Sequence, residues 1–292
     1  MFKTIVLATD LSRASDALLE CAVGLKALGV QKVLLTHALG IRHLVETKYL
    51  LAPKVEPLLL NQKSRLEAQG LDVAIELAPG IPVEEIHRVA QENDASLIVI
   101  GSHGESMAEH ALFKFGGTVS EVLHSFTRPL LLVRTRVVKN AGETCVEVSC
   151  SDFLKNILYC TDFSDTAERA FGYVEQLVEN GGRSVTIMHV QDKTKIDKHL
   201  SHKLKEFNRI DAERIDRLKE RLVKKGASRV ETRIPYGIPT HEILGEAAAG
   251  DYSLIVMGSQ GRGFIREIYL GSVSHNIARN AGVSLLLIPA IR

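Results

Sequence analysis

The feature of this sequence that most constrains its fold is an internal repeat. The segment GIPVEEIHRVAQENDASLIVIGSHG, residues 80–104, recurs without a gap as GIPTHEILGEAAAGDYSLIVMGSQG, residues 237–261. The opening stretch TIVLATDLSRASDALLECA recurs as NILYCTDFSDTAERAFGYV, which places Asp10 opposite Asp162. Near the end of each copy, GTVSEVL likewise matches GSVSHNI. A unit that is present twice predicts two domains of one design.

The two copies are joined in the stretch VVKNAGETCVEVSCSDF, where the repeat pattern lapses. We therefore predict a first domain over residues 1–137, a linker over 138–153 and a second domain over 154–292. The length of 292 residues suits this division, because domains commonly hold about 100–150 residues each.

Each copy alternates short apolar runs with helical stretches. In the second copy the apolar runs are residues 157–160, 185–190, 230–234, 254–257 and 285–288. Helices are predicted to begin at Ser164, after Pro239 and at Ser272, since serine caps helices and proline suits a first turn. A longer, charged helix is predicted over Leu200–Lys225. Such alternation predicts an α/β fold with right-handed crossovers. We expect two tandem, doubly wound, Rossmann-like domains, each a five-stranded parallel sheet with helices on both faces.

The balance of charges argues against two classes of function. Lys and Arg total 36 while Asp and Glu total 35, so the formal net charge is +1. A protein that mainly coats nucleic acid or an anionic membrane needs a basic excess, so we expect neither as a partner. The charge-rich stretch Asp197–Lys225 alternates acids with bases, which is typical of a solvated helix face.

The expected location is the cytoplasm. No apolar run reaches the roughly 18 residues of a membrane span, and Asp10 comes too early for a signal-peptide core. The four cysteines, Cys21, Cys145, Cys150 and Cys160, contain no CxxC pair and no disulfide framework, which favours a reducing compartment. Pairing of Cys145 with Cys150 is the alternative.

Features suited to a phosphate chain meet at predicted strand ends in the second copy, where doubly wound sheets bind ligands. Gly258 and Gly261 follow the fourth strand and would let the backbone adopt positive φ and approach a ligand closely. Residues 271–272 open the last helix with free N–H groups, a hydroxyl and the positive end of the helix dipole. Arg262 and Arg266 add positive charge beside the loop. The pattern is neither a Walker A motif nor a GxGxxG fingerprint.

The spacing Gly258-x2-Gly261-x9-Gly271-Ser272, downstream of Asp162, resembles the ATP-binding type of the universal stress protein family. The resemblance covers nearly the whole chain, as two copies. It implies a five-stranded α/β fold that binds ATP or another adenine nucleotide and often dimerises through its last strand. The two copies would then form a covalent pseudo-dimer, and whole chains could form homodimers.

The resemblance also assigns roles to individual residues. It implies that Asp162 contacts the ribose or adenine side, that Val190 contacts the base and that Met257 packs near the nucleotide. The predicted binding residues of the second copy are Thr161, Asp162, Val190, Met257, Gly258, Gln260, Gly261, Arg262, Gly271, Ser272, Val273 and Ser274.

The first copy departs from this pattern, so we expect its site to be weaker. Twelve residues rather than nine separate its glycine loop from the start of its last helix. Glu105 and Glu109 stand where the second copy has arginines, and acids disfavour a triphosphate; Lys114 and His110 could partly compensate. The corresponding candidate residues are Asp10, Gly101, Gly104, Gly117 and Thr118.

Several of these residues have simpler interpretations. Asp10 and Asp162 could cap helices, and the glycine turns could be architectural. His37 and His189, which end predicted strands, are expected to be hydrogen-bonded core histidines. His199-x2-His202 is expected to be solvated, so we predict no metal site.

The sequence predicts a cytoplasmic stress protein that binds ATP, ADP or AMP, with Mg²⁺ as a candidate companion of the phosphates. The nucleotide would serve as a regulatory, conformational ligand. No HExxH or Walker A motif occurs and no general base is evident, so we expect a binding protein rather than an enzyme. Two alternatives stay open: a slow ATP hydrolase of the same fold, and an interaction module that acts through dimerisation without nucleotide.

Overall fold

Strands and helices alternate along the chain, as the repeat predicts. A computed structural model describes residues 1–40, 46–102, 116–140, 143–148, 150, 152–199, 203–262 and 270–291. The chain divides into two units, Met1–Asp152 and Phe153–Arg292, which we call the first and second domains.

The described residues of the first domain form five parallel strands and the helices that connect them. The strands are β1 (Thr4–Ala8), β2 (Lys32–Ala38), β3 (Asp72–Ala78), β4 (Leu97–Gly101) and β5 (Leu130–Val133). The helices are α1 (Arg13–Leu18), α2 (Ala22–Ala27), α3 (Glu46–Glu67), α4 (Pro82–Glu92) and α5 (Gly117–Leu123). The strands lie in the order β3-β2-β1-β4-β5. Ile5, Val6 and Leu7 of β1 are at most 1% exposed, so both faces of the central strand are covered.

A β-hairpin follows β5. Its antiparallel strands are β6 (Thr135–Asn140) and β7 (Glu143–Val148). Residues 138–153, which the sequence analysis treats as a linker, therefore include most of an ordered hairpin. Threonine and valine, which are β-branched, recur in TRVVKN and ETCVEV and suit such strands.

The hairpin is followed by Cys150, which forms a disulfide with Cys21. Cys21 ends a short 3₁₀ turn, Leu19–Cys21, between α1 and α2. The expectation that the cysteines form no disulfide is therefore wrong. The alternative pairing was also wrong, because Cys150 is bonded to Cys21 and not to Cys145. The two residues are 129 positions apart in sequence. Contact between α1 and β7 brings them together, which no short-range cysteine spacing could indicate.

The second domain repeats the design of the first. Its strands are β8 (Ile157–Cys160), β9 (Ser184–Met188), β10 (Gln191–Asp192), β11 (Arg229–Arg233), β12 (Tyr236–Gly237), β13 (Leu254–Gly258) and β14 (Ser284–Ile288). Five of them lie parallel in the order β11-β9-β8-β13-β14, while β10 and β12 form a separate short pair. The order reverses between β8 and β13, so the carboxyl ends of these strands are the place where such a sheet binds ligands.

In the described part of the second domain, five helices connect the strands. They are α6 (Asp165–Glu179), α7 (Lys193–His199), α8 (Leu204–Lys224), α9 (Pro239–Ala249) and α10 (Ser272–Asn280). The predicted starts at Ser164, Pro239 and Ser272 are confirmed: the Ser164 hydroxyl caps α6 by accepting from the Ala167 N–H. Helix α6 packs on α8, and α9 packs on α10. Every described helix in the chain is too short or too polar to cross a bilayer.

Candidate functional site

A cleft of about 640 Å³ opens at the carboxyl ends of β8, β9 and β13 in the second domain. Its walls include every residue that the sequence analysis predicts for this copy. These are Thr161, Asp162, Val190, Met257, Gly258, Gln260, Gly261, Arg262, Gly271, Ser272, Val273 and Ser274.

The turn after β8 places Asp162 at the mouth of this cleft. The Thr161 hydroxyl accepts from the Phe163 N–H at 3.0 Å, and Asp162 Oδ1 accepts from the Ser164 N–H at 3.1 Å. Phe163 has a φ of +59°, which lets the chain reverse between strand and helix. Because Ser164 is the helix cap, Asp162 does not serve as the cap, and its second carboxylate oxygen turns towards the glycine loop.

That oxygen links the turn after β8 to the loop after β13. Asp162 Oδ2 accepts from the Arg262 N–H at 2.8 Å, and the Arg262 guanidinium donates through Nε to the Asp162 carbonyl at 2.7 Å. A Cβ at Gly261 would overlap Asp162 Oδ2. Gly261 is therefore required for the close approach of loop and carboxylate.

The positive φ expected of Gly258 and Gly261 is wrong, because both lie outside the left-handed region. Gly258 instead allows β13 to pack on the start of α6, since its Cβ would lie 2.9 Å from Thr166 Cγ2 and 3.1 Å from the Thr166 carbonyl carbon. The Gly271 N–H donates to the Ser259 carbonyl at 2.7 Å, which fixes where α10 begins.

The N-terminus of α10 faces the cleft. Gly271 is the N-cap and provides no side-chain cap. The first intrahelical bond runs from the His275 N–H to the Gly271 carbonyl at 2.8 Å. The preceding amides of Ser272, Val273 and Ser274 thus lie in the part of a helix that has no intrahelical acceptors. Together with the helix dipole and nearby Arg262, these amides make this end of the cleft attractive to an anion.

The opposite wall contains a buried polar cluster that the sequence analysis did not assign to the site. His189 Nδ1 donates to the Thr161 carbonyl at 2.8 Å, and its Nε2 lies 3.5 Å from Asp211 Oδ2. Gln191 donates to the same Asp211 oxygen at 3.0 Å. His189 is a hydrogen-bonded buried histidine, as expected, but it also lines the cleft.

Aromatic contacts extend this cluster to the turn after β8. The rings of Phe163 and His189 lie 4.5 Å apart, and the Arg214 guanidinium lies 5.2 Å from the centre of the Phe163 ring. Asp211 and Arg214 belong to α8, which the sequence analysis interprets as a solvated helix. One face of α8 does line the cleft, with Phe207, Ile210, Asp211 and Arg214. Their spacing of i, i+3, i+4 and i+7 is the signal that could have identified this face.

The buried histidine makes stability depend on pH. Burial lowers the pKa of His189 from its ordinary 6.5, opposed by the Thr161 carbonyl and the Asp211 carboxylate. As pH falls through 6.5, the unfolded chain takes up a proton that the native chain does not, so the free energy of unfolding decreases. We expect His189→Gln to reduce this decrease, measured by urea unfolding between about pH 7.5 and pH 5.5. Burial also lowers the pKa of His87, so His87→Gln should separately reduce the loss of stability at low pH. An unchanged pH slope in His189→Gln would contradict the assignment.

Among the described residues, the first domain repeats the turn that holds the aspartate. Asp10 Oδ1 accepts from the Ser12 N–H at 3.1 Å, as its counterpart does, and also from the Ser15 hydroxyl at 2.5 Å. Gly101 ends β4, and α5 begins at Gly117 and contains Thr118. Of the other residues weighed in the sequence analysis, Gly104, Glu105, Glu109, His110, Lys114, His202 and Arg266 lie outside the described residues.

The supporting strand ends are the same in both domains. His37 Nδ1 donates to the Thr9 carbonyl at 2.9 Å, as His189 does to Thr161. The Ser102 N–H donates to the Val133 carbonyl at 2.9 Å, and its counterpart Ser259 donates to the Ile288 carbonyl at 2.8 Å. In the described ranges, no group of three or more His, Cys, Asp or Glu residues is arranged to hold a metal ion.

Comparison with known proteins places both copies in one family of sequences. The sequence model of the universal stress protein family matches residues 1–134 and again residues 154–289. Universal stress protein MJ0577 from Methanocaldococcus jannaschii is 31% identical over 153 residues, which cover 46% of this chain and 94% of that protein. Universal stress protein YxiE from Bacillus subtilis is 27% identical over 144 residues, covering 45% and 97%. The crystal structure of a universal stress protein from Archaeoglobus fulgidus shares the fold, with a TM-score of 0.73 at 24% identity over 98% of this chain and 97% of that one.

Proposed function

This chain belongs to the universal stress protein family, and from that membership we propose that the cleft of its second domain binds an adenine nucleotide: ATP, ADP or AMP. The observation that carries the proposal is the meeting of Asp162, Arg262 and the N-terminus of α10 in one cleft of about 640 Å³. That volume lies within the usual range of small-molecule sites, about 300–1,000 Å³.

The phosphates would lie against α10 and the glycine loop. The amides of residues 272–274 can donate to phosphate oxygens, and Arg262 supplies a positive charge on the same side. The Ser274 hydroxyl donates to the Gly258 carbonyl at 2.9 Å, so Ser274 would contribute its backbone amide and Ser272, which is exposed, its hydroxyl. Mg²⁺ would be carried in with the phosphates.

The nucleoside would lie against the ends of β8 and β9. Asp162 can accept from a ribose hydroxyl, because carboxylate oxygens accept more than one hydrogen bond. Val190 is half-buried at the end of β9, and the buried Met257 lines the same wall, which gives the base an apolar surface.

Binding rather than chemistry is the activity that we propose, with the nucleotide as a regulatory ligand of a cytoplasmic stress protein. Cys160 lines the cleft, but burial raises the pKa of its thiol to about 12. The thiol therefore stays protonated at neutral pH and is a poor nucleophile. We propose weaker binding for the first domain, whose Asp10 carboxylate is already held by Ser15.

A thermal-shift titration of the full chain with ATP, ADP and AMP, with and without Mg²⁺, tests this function. A ligand at 100 times its dissociation constant adds about 2.7 kcal/mol of stability, which corresponds to a rise in Tm of about 5–10 °C for a domain of this size. Asp162→Asn should abolish the shift. The matched control is Asp165→Asn, which changes an exposed acid at the start of α6, three residues after Asp162. This variant should retain the shift. No shift of the wild-type protein with any of the three nucleotides would refute the proposal.

A further inference from the structure

The carboxylate of Asp211 is a buried acceptor in a wall of the cleft, beyond the glycine motif. Asp211 is only 8% exposed, yet it lines the cleft from helix α8. A buried carboxylate without hydrogen bonds is costly, so the partners of its two oxygens indicate what the cleft can hold.

Those two oxygens are used differently. Oδ2 accepts from Gln191 at 3.0 Å and lies 3.5 Å from His189 Nε2. Among the described residues, the cation nearest to Oδ1 is Arg214, whose nitrogen is 3.7 Å away, beyond hydrogen-bond distance. Among the residues that the structure describes, none donates a hydrogen bond to Oδ1.

The position of Asp211 relates it to the base rather than to the phosphates. Its partners His189 and Gln191 are the two neighbours of Val190 in the chain, and all of these residues line the cleft. The other side chains from α7 and α8 that line the cleft are the apolar Ile196, Phe207 and Ile210 and the cations Lys195 and Arg214. A planar base could lie against the apolar side chains, and the Asp211 carboxylate is the hydrogen-bond acceptor that α8 adds to this wall.

We infer that Asp211 Oδ1 accepts a hydrogen bond from the exocyclic amino group of the bound base and so selects 6-amino over 6-oxo purines; this rests on the proposed nucleotide site. A carboxylate can only accept. The 6-oxo group of hypoxanthine is also an acceptor, so the two would repel each other and leave both unsatisfied. Sites that hydrogen-bond a ligand group discriminate strongly against analogues lacking it.

At the position that matches Asp211, the first domain has a valine. Gly70 and Gly226 both have positive φ and follow α3 and α8 respectively. Val55 precedes Gly70 by as many residues as Asp211 precedes Gly226, so Val55 is the counterpart of Asp211. The selection of the base is therefore a property of the second domain.

The experiment compares ATP with inosine triphosphate and purine riboside triphosphate, which carries only hydrogen at position 6. Titration calorimetry on the wild-type full chain should show ATP binding at least about 10-fold more tightly than either analogue. In Asp211→Asn the amide oxygen can still accept from Gln191 while its NH₂ donates into the cleft, so the ratio of ATP to inosine triphosphate affinity should fall to within about 3-fold. The control, Asp216→Asn, changes an exposed acid of the same helix and should keep the wild-type ratio.

The outcomes separate this inference from the nucleotide site itself. Equal affinity of the wild-type chain for ATP and both analogues overturns the inference and leaves nucleotide binding intact. An unchanged ratio in Asp211→Asn also overturns it. If Asp211→Asn does not fold, the wild-type comparison with purine riboside triphosphate decides alone. If no nucleotide binds the wild-type chain, the proposed function and this inference both fail.

Discussion

Gly261→Val is expected to weaken nucleotide binding by the second domain at least about 100-fold, which equals about 2.7 kcal/mol. The reason is the contact between the loop and the turn after β8. A Cβ at this position would overlap Asp162 Oδ2 and lie 3.4 Å from Asp162 Cγ. The carboxylate must then rotate, which breaks the 2.8 Å bond from the Arg262 N–H and displaces both residues from the cleft.

Calorimetric titration with ATP checks this expectation, and unfolding without nucleotide shows whether the variant is folded. Gly172→Ala is the matched control, because an added Cβ at Gly172 in α6 meets nothing within 4 Å. This control should bind ATP normally and gain about 0.5–1 kcal/mol of stability, since alanine favours a helix interior over glycine. A folded Gly261→Val protein with wild-type affinity would show that the loop does not need this approach.

Reduction of the disulfide is expected to lower the free energy of unfolding of the first domain by about 2–4 kcal/mol. The bond between Cys21 and Cys150 closes a loop across 129 positions of sequence and is buried at both ends. Long closed loops restrict the unfolded chain most. The bond also holds the segment after β7 to the turn between α1 and α2.

Because two domains can unfold separately, a single transition is not assumed. Hydrogen exchange of β1 and β2, followed by mass spectrometry in urea, reports the first domain by itself. Protection should be lost at lower urea after dithiothreitol treatment, and Cys150→Ser should behave like the reduced protein with no further response to reductant. Equal midpoints for the oxidised and reduced wild-type chains would contradict the expectation.

The disulfide also bears on the predicted location in the cytoplasm. Disulfides are rare in that compartment because glutathione and thioredoxin keep thiols reduced. In a cytoplasmic setting the first domain would therefore exist in a reduced, less stable form unless burial of Cys21 and Cys150 protects the bond.

Much of the fold could be predicted because its signals are local and occur twice. The apolar runs place the five strands of the second-domain sheet within about two residues of their observed ends, and serine and proline mark the helix starts. The short pair β10 and β12 was not predicted. The glycine spacing and Asp162 lie at strand ends, so the sheet topology alone brings them together.

What the sequence could not predict depends on contacts between distant segments. The spacing of Phe207, Ile210 and Asp211 marks one face of α8, but no local pattern shows that Asp211 hydrogen-bonds to Gln191 of β10 in the wall of the cleft. The pairing of Cys21 with Cys150 is likewise long-range. The role of Gly258 was wrongly predicted, because the group that approaches it is Thr166 of α6 and not a ligand.

The matching strand ends of the two domains have a consequence for protein engineering. In each domain a histidine ring is bonded to the carbonyl that precedes the key aspartate, and a serine amide is bonded to the last strand. A segment exchanged between the copies after Ser102 or Ser259 would thus start from the same hydrogen-bonded support. The sheet beneath such a loop would need no redesign, whereas a preference for the base that depends on Asp211 would stay with α8.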